Sequence, residues 1–565
     1  MKRNLLFKTL AAIVACLALA MPASAYDFVR NGIYYSINSN QTSVTVQNNG
    51  NFNTYSGDIV VPPTVVYNDG IYTVTSIGYQ AFKDCTDLTS VRLPENISYI
   101  MNEAFMNCTS LTSITIPSSV VTMYQNIFKG CSSLETVNCL WTTARSTNVN
   151  NFDASTYSLA TLNVPLGSKS SYQGTTPWSN FSKIKETSKF MVDGIYYNVT
   201  GANTVEVTYR DQNYNYYSGN ITIPSTVTYA GKTYTVTAVG RMAFRQSPSL
   251  NAVTIPSTVT LIDYAAFNQC TALTSIVIPN SVTTLGEFCF MSCGNLANVT
   301  LSNQLTSIPR QCFTYCTALT SITIPGSAKE LSYFSFYGCE SLQSVTIQEG
   351  VEAIRNNAFE NCSALESIMI PASVTTIELG ILADCTSLTA INVNSANTHY
   401  CSLDGVLYSA AMDTLLQYPS NKSGSFYQIP AGVKIIMPRA FISCLQLESV
   451  TLPEGVTTIG SWAFASCDQL TTFTIPASVN DIGNNFLCYC ASLVSIDVAD
   501  GNQNYMSDDG VLYTSGGKLL LQYPCGRPDK HYSVLNSADS ICYNAFSNSF
   551  LLKSVYIPGS VKMID

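Results

Sequence analysis

The chain has 565 residues and places charge on only 11% of them, against roughly 25% in an ordinary globular protein. Apolar residues at 46% exclude a disordered chain, and a net charge of -9 without acidic or basic runs leaves no footprint for nucleic acid or an anionic membrane. The surface must be built from Ser, Thr, Asn and the 34 Tyr.

The first segment, MKRNLLFKTLAAIVACLALAMPASA, reads as a secretory signal peptide over residues 1–25. Lys2, Arg3 and Lys8 precede an apolar run, and Ala23-Ser24-Ala25 is a small-residue cleavage site, so cleavage after Ala25 is expected. A minority reading takes Ile13-Val14-Ala15-Cys16 as a lipobox that places a lipid on Cys16, although cleavage there leaves a further greasy stretch behind. No later segment offers the ~20 uncharged apolar residues of a membrane span. The expectation is a secreted or cell-surface chain without a transmembrane segment.

From Tyr26 onward one sentence recurs. AFENCSALESIMIPASVTTIE (358–378) follows SFYGCESLQSVTIQEGVEAIR (335–355) at a 23-residue interval. Aligned on its aromatic, the series is Phe82, Phe105 and Phe128, then Phe244, Phe267, Phe290, Phe313, Phe336, Phe359 and Leu382, then Phe441, Phe464 and Phe486, and finally Phe546. The step within each run is 23, except for 22 between Phe464 and Phe486. The shared pattern, A-F-x-x-C-x-x-L-x-x-I-x-I-P-x-x-V-x-x-I, has the spacing of a leucine-rich repeat, in which L-x-x-I-x-I is a short strand. Leu365, Ile368 and Ile370 are expected to face a core, Pro371 to stop the ladder, Val374 and Ile377 to line the returning arm, and Phe359 to fill the interior from a short helical or turn segment. A single unit cannot enclose these side chains, so stability must come from stacked neighbours.

The predicted fold is a leucine-rich-repeat solenoid of α/β type, mostly short parallel strands with short helical or turn segments, in two blocks. The first, 26–187, decays after Cys131 into a closing cap (162–186) containing Trp178. The second, 188–565, opens with FMVDGIYYNVTGANTVEVTY (190–209), which repeats DFVRNGIYYSINSNQTSVTV (27–46), so each block has a β-rich cap at its start. Two related inserts interrupt the second block at about 402–430 and 507–535, carried by SLDGVLYSAAMDTLLQYP and SDDGVLYTSGGKLLLQYP. Their paired apolar runs read as hairpins, either protruding recognition loops or widened repeats that continue the sheet.

The 23-residue period, the A-F-x-x-C segment and the I-P-x-S-V turn resemble the BspA-like leucine-rich repeat family of bacterial surface proteins, over nearly all of the mature chain. The resemblance implies an exposed solenoid that adheres to a host or microbial surface protein or glycan. It brings no catalytic residues.

Twelve cysteines share one repeat position: Cys85, Cys108, Cys131, Cys270, Cys293, Cys316, Cys339, Cys362, Cys385, Cys444, Cys467 and Cys490. Stacked neighbours about 5 Å apart could bridge. Runs of three cannot pair completely, however, and Ser247 and Ser549 replace Cys without breaking the pattern, which favours a column of buried free thiols. A row with one thiol per unit does not converge on a metal. His399 and His531 are the only imidazoles, and neither sits in a catalytic or metal motif. No enzyme, cofactor or metal is expected.

Between the last two apolar positions of each strand, alternation turns one residue outward. That row reads Arg92, Thr115, Asn138, Asn163, Thr254, Val277, Thr300, Thr323, Thr346, Met369, Asn392, Thr451, Thr474, Asp497 and Tyr556. Its Thr content suits a half-exposed strand on β-propensity alone, and it also offers hydroxyl and amide groups to a glycan or an extended protein. The candidate contacts are Arg92, Thr115, Thr254, Thr300, Thr323, Thr346, Thr451 and Thr474. A second candidate is YRDQNYNYYSG (209–219), whose Tyr214, Tyr216 and Tyr217 combine apolar area with hydroxyls; a solvated connection within the cap is the alternative. A structural surface coat without a specific ligand is the rival reading of the whole chain, and a carbohydrate-active enzyme a remote one.

Overall fold

The computed structural model describes residues 26–209 and 217–565. The signal-peptide segment with Cys16, and Tyr214 and Tyr216, lie outside the described residues. Contacts divide the chain between Phe190 and Met191 into two units.

Each repeat has three sides, and each side hydrogen-bonds to its neighbours. In the unit around Phe359, Ser367–Ile370 runs parallel between Ser344–Ile347 and Ala390–Val393 in a wide sheet. Thr376–Ile377 pairs with Ala353–Ile354 in a narrow ladder two residues deep. The third side is the A-F segment, where the N–H groups of Asn357, Phe359 and Asn361 donate to the carbonyls of Leu379, Ile381 and Ala383 in the next unit, at 3.1, 2.9 and 2.9 Å.

This third side is a turn, with left-handed residues at Asn357 (φ 61°) and Asn361 (φ 59°). Asn visits that region at low cost because its short polar side chain bonds locally. Alternate N–H groups thereby point at the neighbouring unit, whereas a helix would satisfy them internally. Among the described residues α-helix occurs only at Ala154–Leu159 and Lys169–Gln173, outside the regular units.

Phe359, Leu365, Ile368, Ile370 and Val374 are buried, as alternation demands. The rings of Phe267, Phe290, Phe313, Phe336 and Phe359 stack nearly parallel at centroid separations of 5.1 to 5.3 Å. After the strand-ending proline, Ser of I-P-x-S-V donates to the preceding unit: Ser119 to Ile97, Ser373 to Val351 and Ser478 to Val456, each at 2.7 Å.

In the unit ending at Phe190, the strands Phe28–Arg30, Ile33–Ile37 and Ser43–Gln47 form an antiparallel meander. It feeds in parallel into Gly70–Ile77 and the narrow ladder Tyr99–Ile100 and Thr122–Met123. The wide sheet runs from Gly57–Val60 to Lys183–Glu186. Although the repeat pattern fades after Cys131, Thr161–Val164 and Lys183–Glu186 still add strands in register. The ring column continues to Phe152, 5.2 Å from Phe128, and buried Trp178 closes it edge-on to Phe152 and Trp141.

In the unit from Met191, Ile195–Val199 and Thr204–Thr208 repeat the antiparallel opening and feed Lys232–Val239. Both inserts use the same device. Tyr400–Leu403, Val406–Ser409 and Thr414–Gln417 form a meander that continues in parallel into Ile435–Ile436. Tyr505–Asp508, Val511–Thr514 and Leu519–Gln522 do the same into Ser540–Ile541. The three strands of each meander therefore extend the narrow ladder of the units that follow, while Phe426–Gln428 and His531–Ser533 pair in the wide sheet.

One alignment is corrected. Phe464 N–H donates to the carbonyl of Phe486 at 2.8 Å, as Phe441 N–H does to Ala463 at 2.7 Å. Phe486 thus occupies the alanine slot and fully buried Leu487 the ring slot, so the period stays at 23 residues through this unit.

Candidate functional site

The wide sheet carries the candidate surface. In Ser321–Ile324, Ile322 and Ile324 are buried and Ser321 and Thr323 exposed, because successive side chains leave a strand on opposite faces. Parallel register places Thr323 beside Thr346 and Ser321 beside Ser344. Further along, Ser344 lies beside Ser367, and Met369 beside Asn392. Val277 likewise lies beside Thr300, and Ser275 beside Asn298.

Two columns emerge, one of them unread from the sequence. The second, two residues earlier on each strand, runs Ser275, Asn298, Ser321, Ser344, Ser367 and Ala390. The alternation that picked out the Thr row also dictates this one. From Thr254 to Asn392 neither column contains an ionisable side chain, while Val277 (63% exposed) and Met369 (51%) set apolar groups among the hydroxyls.

The row extends at both flanks. Thr222 stands beside Thr254, and Gln428 beside Thr451. Thr474 stands beside Asp497, whose carboxylate accepts from Ser495 Oγ at 2.7 Å. An open cleft of about 560 Å³ adjoins Asp497, lined also by Ser507, Asp509, Arg527 and Asp529. Arg527 is ion-paired there to Asp509 at 2.8 Å and to Asp529 at 2.6 Å.

In the unit ending at Phe190, Arg92, Thr115, Asn138 and Asn163 are half-buried. Asn138 Nδ2 donates to Thr115 Oγ1 at 3.2 Å and Asn163 Nδ2 to Asn138 Oδ1 at 2.9 Å, an amide ladder along the row. Register carries the row on to Lys185. Hydrogen bonds from Ser90 and Thr89 hold the neighbouring Asp58 carboxyl below its usual range.

Tyr217 is removed from the candidate surface. It is buried, its hydroxyl accepts from Tyr196 N–H at 2.9 Å and donates to the Thr208 carbonyl at 2.6 Å, and its ring lies 4.6 Å from Phe244. It starts the ring column, as Tyr55 does against Phe82. An aromatic-rich segment read as a contact surface supplies a core residue here, because the open end of the column needs a ring with a hydroxyl to satisfy the cap.

The cysteine column faces the core. The twelve thiols are buried and free. Within each run the thiol donates to the Phe carbonyl 26 residues earlier: Cys108 to Phe82 at 3.0 Å, Cys131 to Phe105 at 3.1 Å, Cys316 to Phe290 at 3.2 Å and Cys490 to Phe464 at 3.2 Å. Cys85 and Cys444, which open their runs, lack that partner and contact Tyr55 N–H and the Ile442 carbonyl instead. Burial pushes Cys270, Cys339 and Cys385 up to about 12, which keeps them protonated and inert as nucleophiles. Among the described residues no three His, Cys, Asp or Glu side chains converge as metal ligands. His399 and His531 are exposed, the latter beside Ser554 Oγ at 2.8 Å.

Strand, ladder and turn in a 23-residue period define a leucine-rich-repeat solenoid. The BspA type leucine rich repeat region matches residues 70–184, 212–330, 306–403 and 420–511, and the chain belongs to that family. Among solved structures it is similar to a leucine rich cell surface protein from Faecalibacterium prausnitzii, with 29% identity and a TM-score of 0.52 over 65% of this chain and 94% of that one. The pneumococcal vaccine antigen PcpA is 21% identical over 67% of this chain and 94% of that one, with a TM-score of 0.43. A leucine-rich repeat protein from Bacteroides ovatus is 24% identical over 84% and 95%, with a TM-score of 0.31. No curated protein matches the chain. Among the described residues no helix is long and apolar enough to cross a membrane.

Proposed function

We propose that this chain is an exported cell-surface protein that adheres, through the exposed face of its wide sheet, to a protein or glycan on a host or neighbouring microbial cell. The observation that carries this reading is the double column of uncharged hydroxyls between Thr254 and Asn392, interrupted by exposed Val277 and Met369. Such a surface offers donors and acceptors along a broad, rigid strip, with apolar anchors that a partner can desolvate. Similarity to a leucine rich cell surface protein supports the location. The fold supplies the scaffold, and the residues standing on it choose the ligand.

The test is saturable binding of purified residues 26–565 to arrays of extracellular-matrix proteins and glycans, beside a variant with Thr300→Lys, Thr323→Lys and Thr346→Lys. Binding that disappears in the still-folded variant supports the proposal. Absence of any hit sinks it and favours a structural coat.

A further inference from the structure

The corner of the solenoid where the A-F turns begin carries a feature that the sheet face does not use. The two left-handed slots hold Asn, Asp or Gly in many units, Asn107, Asn126, Asn357 and Asn361 among them, and other side chains in the rest. Rings take three of these slots between 288 and 334, at Phe288 (φ 60°), Tyr315 (φ 59°) and Phe334 (φ 57°), and two more at Trp462 (φ 60°) and Tyr489 (φ 64°). A bulky side chain is disfavoured there because its Cβ crowds the following carbonyl, so aromatics in these slots are outliers maintained at a local cost.

The core does not account for them. Tyr315 is 42% exposed and the adjoining Tyr333 40%, while Phe288, Phe334 and Tyr337 are half-buried. The rings lie edge to face in two groups that follow one another along the row of units: Tyr264 on Phe288 at 5.4 Å, then Phe334 on Tyr337 at 5.7 Å and Tyr315 on Tyr337 at 5.3 Å. Two exposed arginines stack on this row, Arg241 at 4.0 Å over Tyr264 and Arg310 at 5.9 Å over Phe288.

Among the described residues neither guanidinium is ion-paired, whereas Arg355, Arg439 and Arg527 all are. The carboxylates nearby in sequence are Asp263, which accepts the Tyr264 N–H, and exposed Glu287. Glu206 lies beside Gly240, and Glu360, paired with Arg439, and Asp384 act on Tyr337 at the far end, so the cationic part of the corner is the end that carries Arg241 and Arg310. A stacked guanidinium is weakly hydrated and keeps its fork of donors for a carboxylate or sulfate.

We propose that this corner is a second binding surface, for an acidic polysaccharide. The rings meet the apolar faces of successive sugar units, and Arg241 and Arg310 take the acidic groups. A polymer fits better than a compact ligand, because the rings repeat along the solenoid and do not converge on a pocket. The assignment is independent of the sheet-face reading, whose uncharged columns cannot produce salt-sensitive binding.

Purified residues 26–565 are titrated with hyaluronan, chondroitin sulfate and neutral dextran at low and high salt. The first two separate carboxylate from sulfate recognition. The variants are Phe288→Asn/Tyr315→Asn/Phe334→Asn, Arg241→Gln/Arg310→Gln and, as control, Thr300→Ala/Thr323→Ala/Thr346→Ala. Asn already occupies these slots in other units, so the first variant folds, with an equal or higher Tm. The expected result is salt-sensitive binding of at least one acidic polymer, weakened roughly tenfold or more in each of the first two variants. The Thr variant binds unchanged, and dextran is not bound. Absence of acidic-polymer binding overturns the proposal. So does full binding by either the ring or the arginine variant, or a loss confined to the Thr variant.

Discussion

The run from Phe244 to Leu382 and the two inserts that follow solve the same problem in different ways. Inside the run the repeated groups of one unit are met by its neighbours: ring on ring, thiol on carbonyl, N–H on carbonyl. At the inserts the neighbour changes, and side chains take over. The ring column ends on leucine, at Leu382 and Leu487, and restarts on tyrosine, with Tyr418 at 4.9 Å from Phe441 and Tyr523 at 5.4 Å from Phe546.

The last N–H of the narrow ladder, on Ile377 or Ile482, donates to the hydroxyl of Tyr400 or Tyr505 at 2.8 and 3.0 Å. Asn397 Nδ2 caps the carbonyls of Pro371 and Val374 at 2.8 and 2.9 Å, and Asn502 repeats this on Pro476 and Val479 at 2.9 and 3.0 Å. Ser402 and Ser507 donate to the Ile391 and Ile496 carbonyls at 2.6 and 2.7 Å. An insert is thus a side-chain stop followed by a fresh start, and it divides the array into stretches joined by fewer repeated bonds. The difference teaches that stacking supplies cooperativity only where identical slots adjoin.

Alkaline pH should break the comparison most strongly. Thiols such as Cys270, Cys339 and Cys385 are raised to about 12 by burial, so the folded state holds protons that the unfolded chain releases near the ordinary thiol value of about 8.5. Their stabilisation is complete below about pH 8.5 and is lost as pH rises toward 12, by up to ~1.4 kcal/mol per thiol per pH unit. Urea midpoints measured at successive pH values should fall steeply over that window, with hydrogen exchange rising across the thiol-lined run between Cys270 and Cys385.

Phe313→Ala, in the middle of the stack, should cost about 3–5 kcal/mol by urea denaturation. Half-buried Phe546 sits beyond the second insert, and Phe546→Ala should cost clearly less. Asn397→Ala leaves two carbonyls and the N–H groups of His399 and Tyr400 without their partner. It should cost about 1–3 kcal/mol and speed hydrogen exchange near residues 371–400 while leaving 244–336 protected. Smallest are Tyr400→Phe and Tyr505→Phe, each removing one acceptor, at about 0.5–1.5 kcal/mol. Equal losses at the two sites would support a shared device, and a large inequality would break it.

Much of this was legible in the sequence because each slot answers to a strong physical demand. The period, the Phe column, the Cys position and the outward Thr row follow from periodicity alone. The Ser column needed only the same alternation carried two residues back. The left-handed slots had a trace in their recurring Asn, Asp and Gly, but the aromatics at 288, 315 and 334 hide it. Phe486 hides the true slot of Leu487 because the ring position asks only for apolar volume, which leucine also supplies. Tyr217 was misread since tyrosine serves a cap and a contact surface equally well, and the roles of Asn397 and Tyr400 depend on a neighbour reached only through the fold.

The most direct test of the ligand surface sets the two regions side by side. Affinity for an array-identified partner is measured for the wild type, for Thr300→Lys/Thr323→Lys/Thr346→Lys in the uninterrupted run, and for Thr451→Lys/Thr474→Lys in the same row beyond the first insert. Loss in the first variant with retention in the second places the ligand on the continuous columns. Equal loss in both, or retention in both, contradicts that assignment.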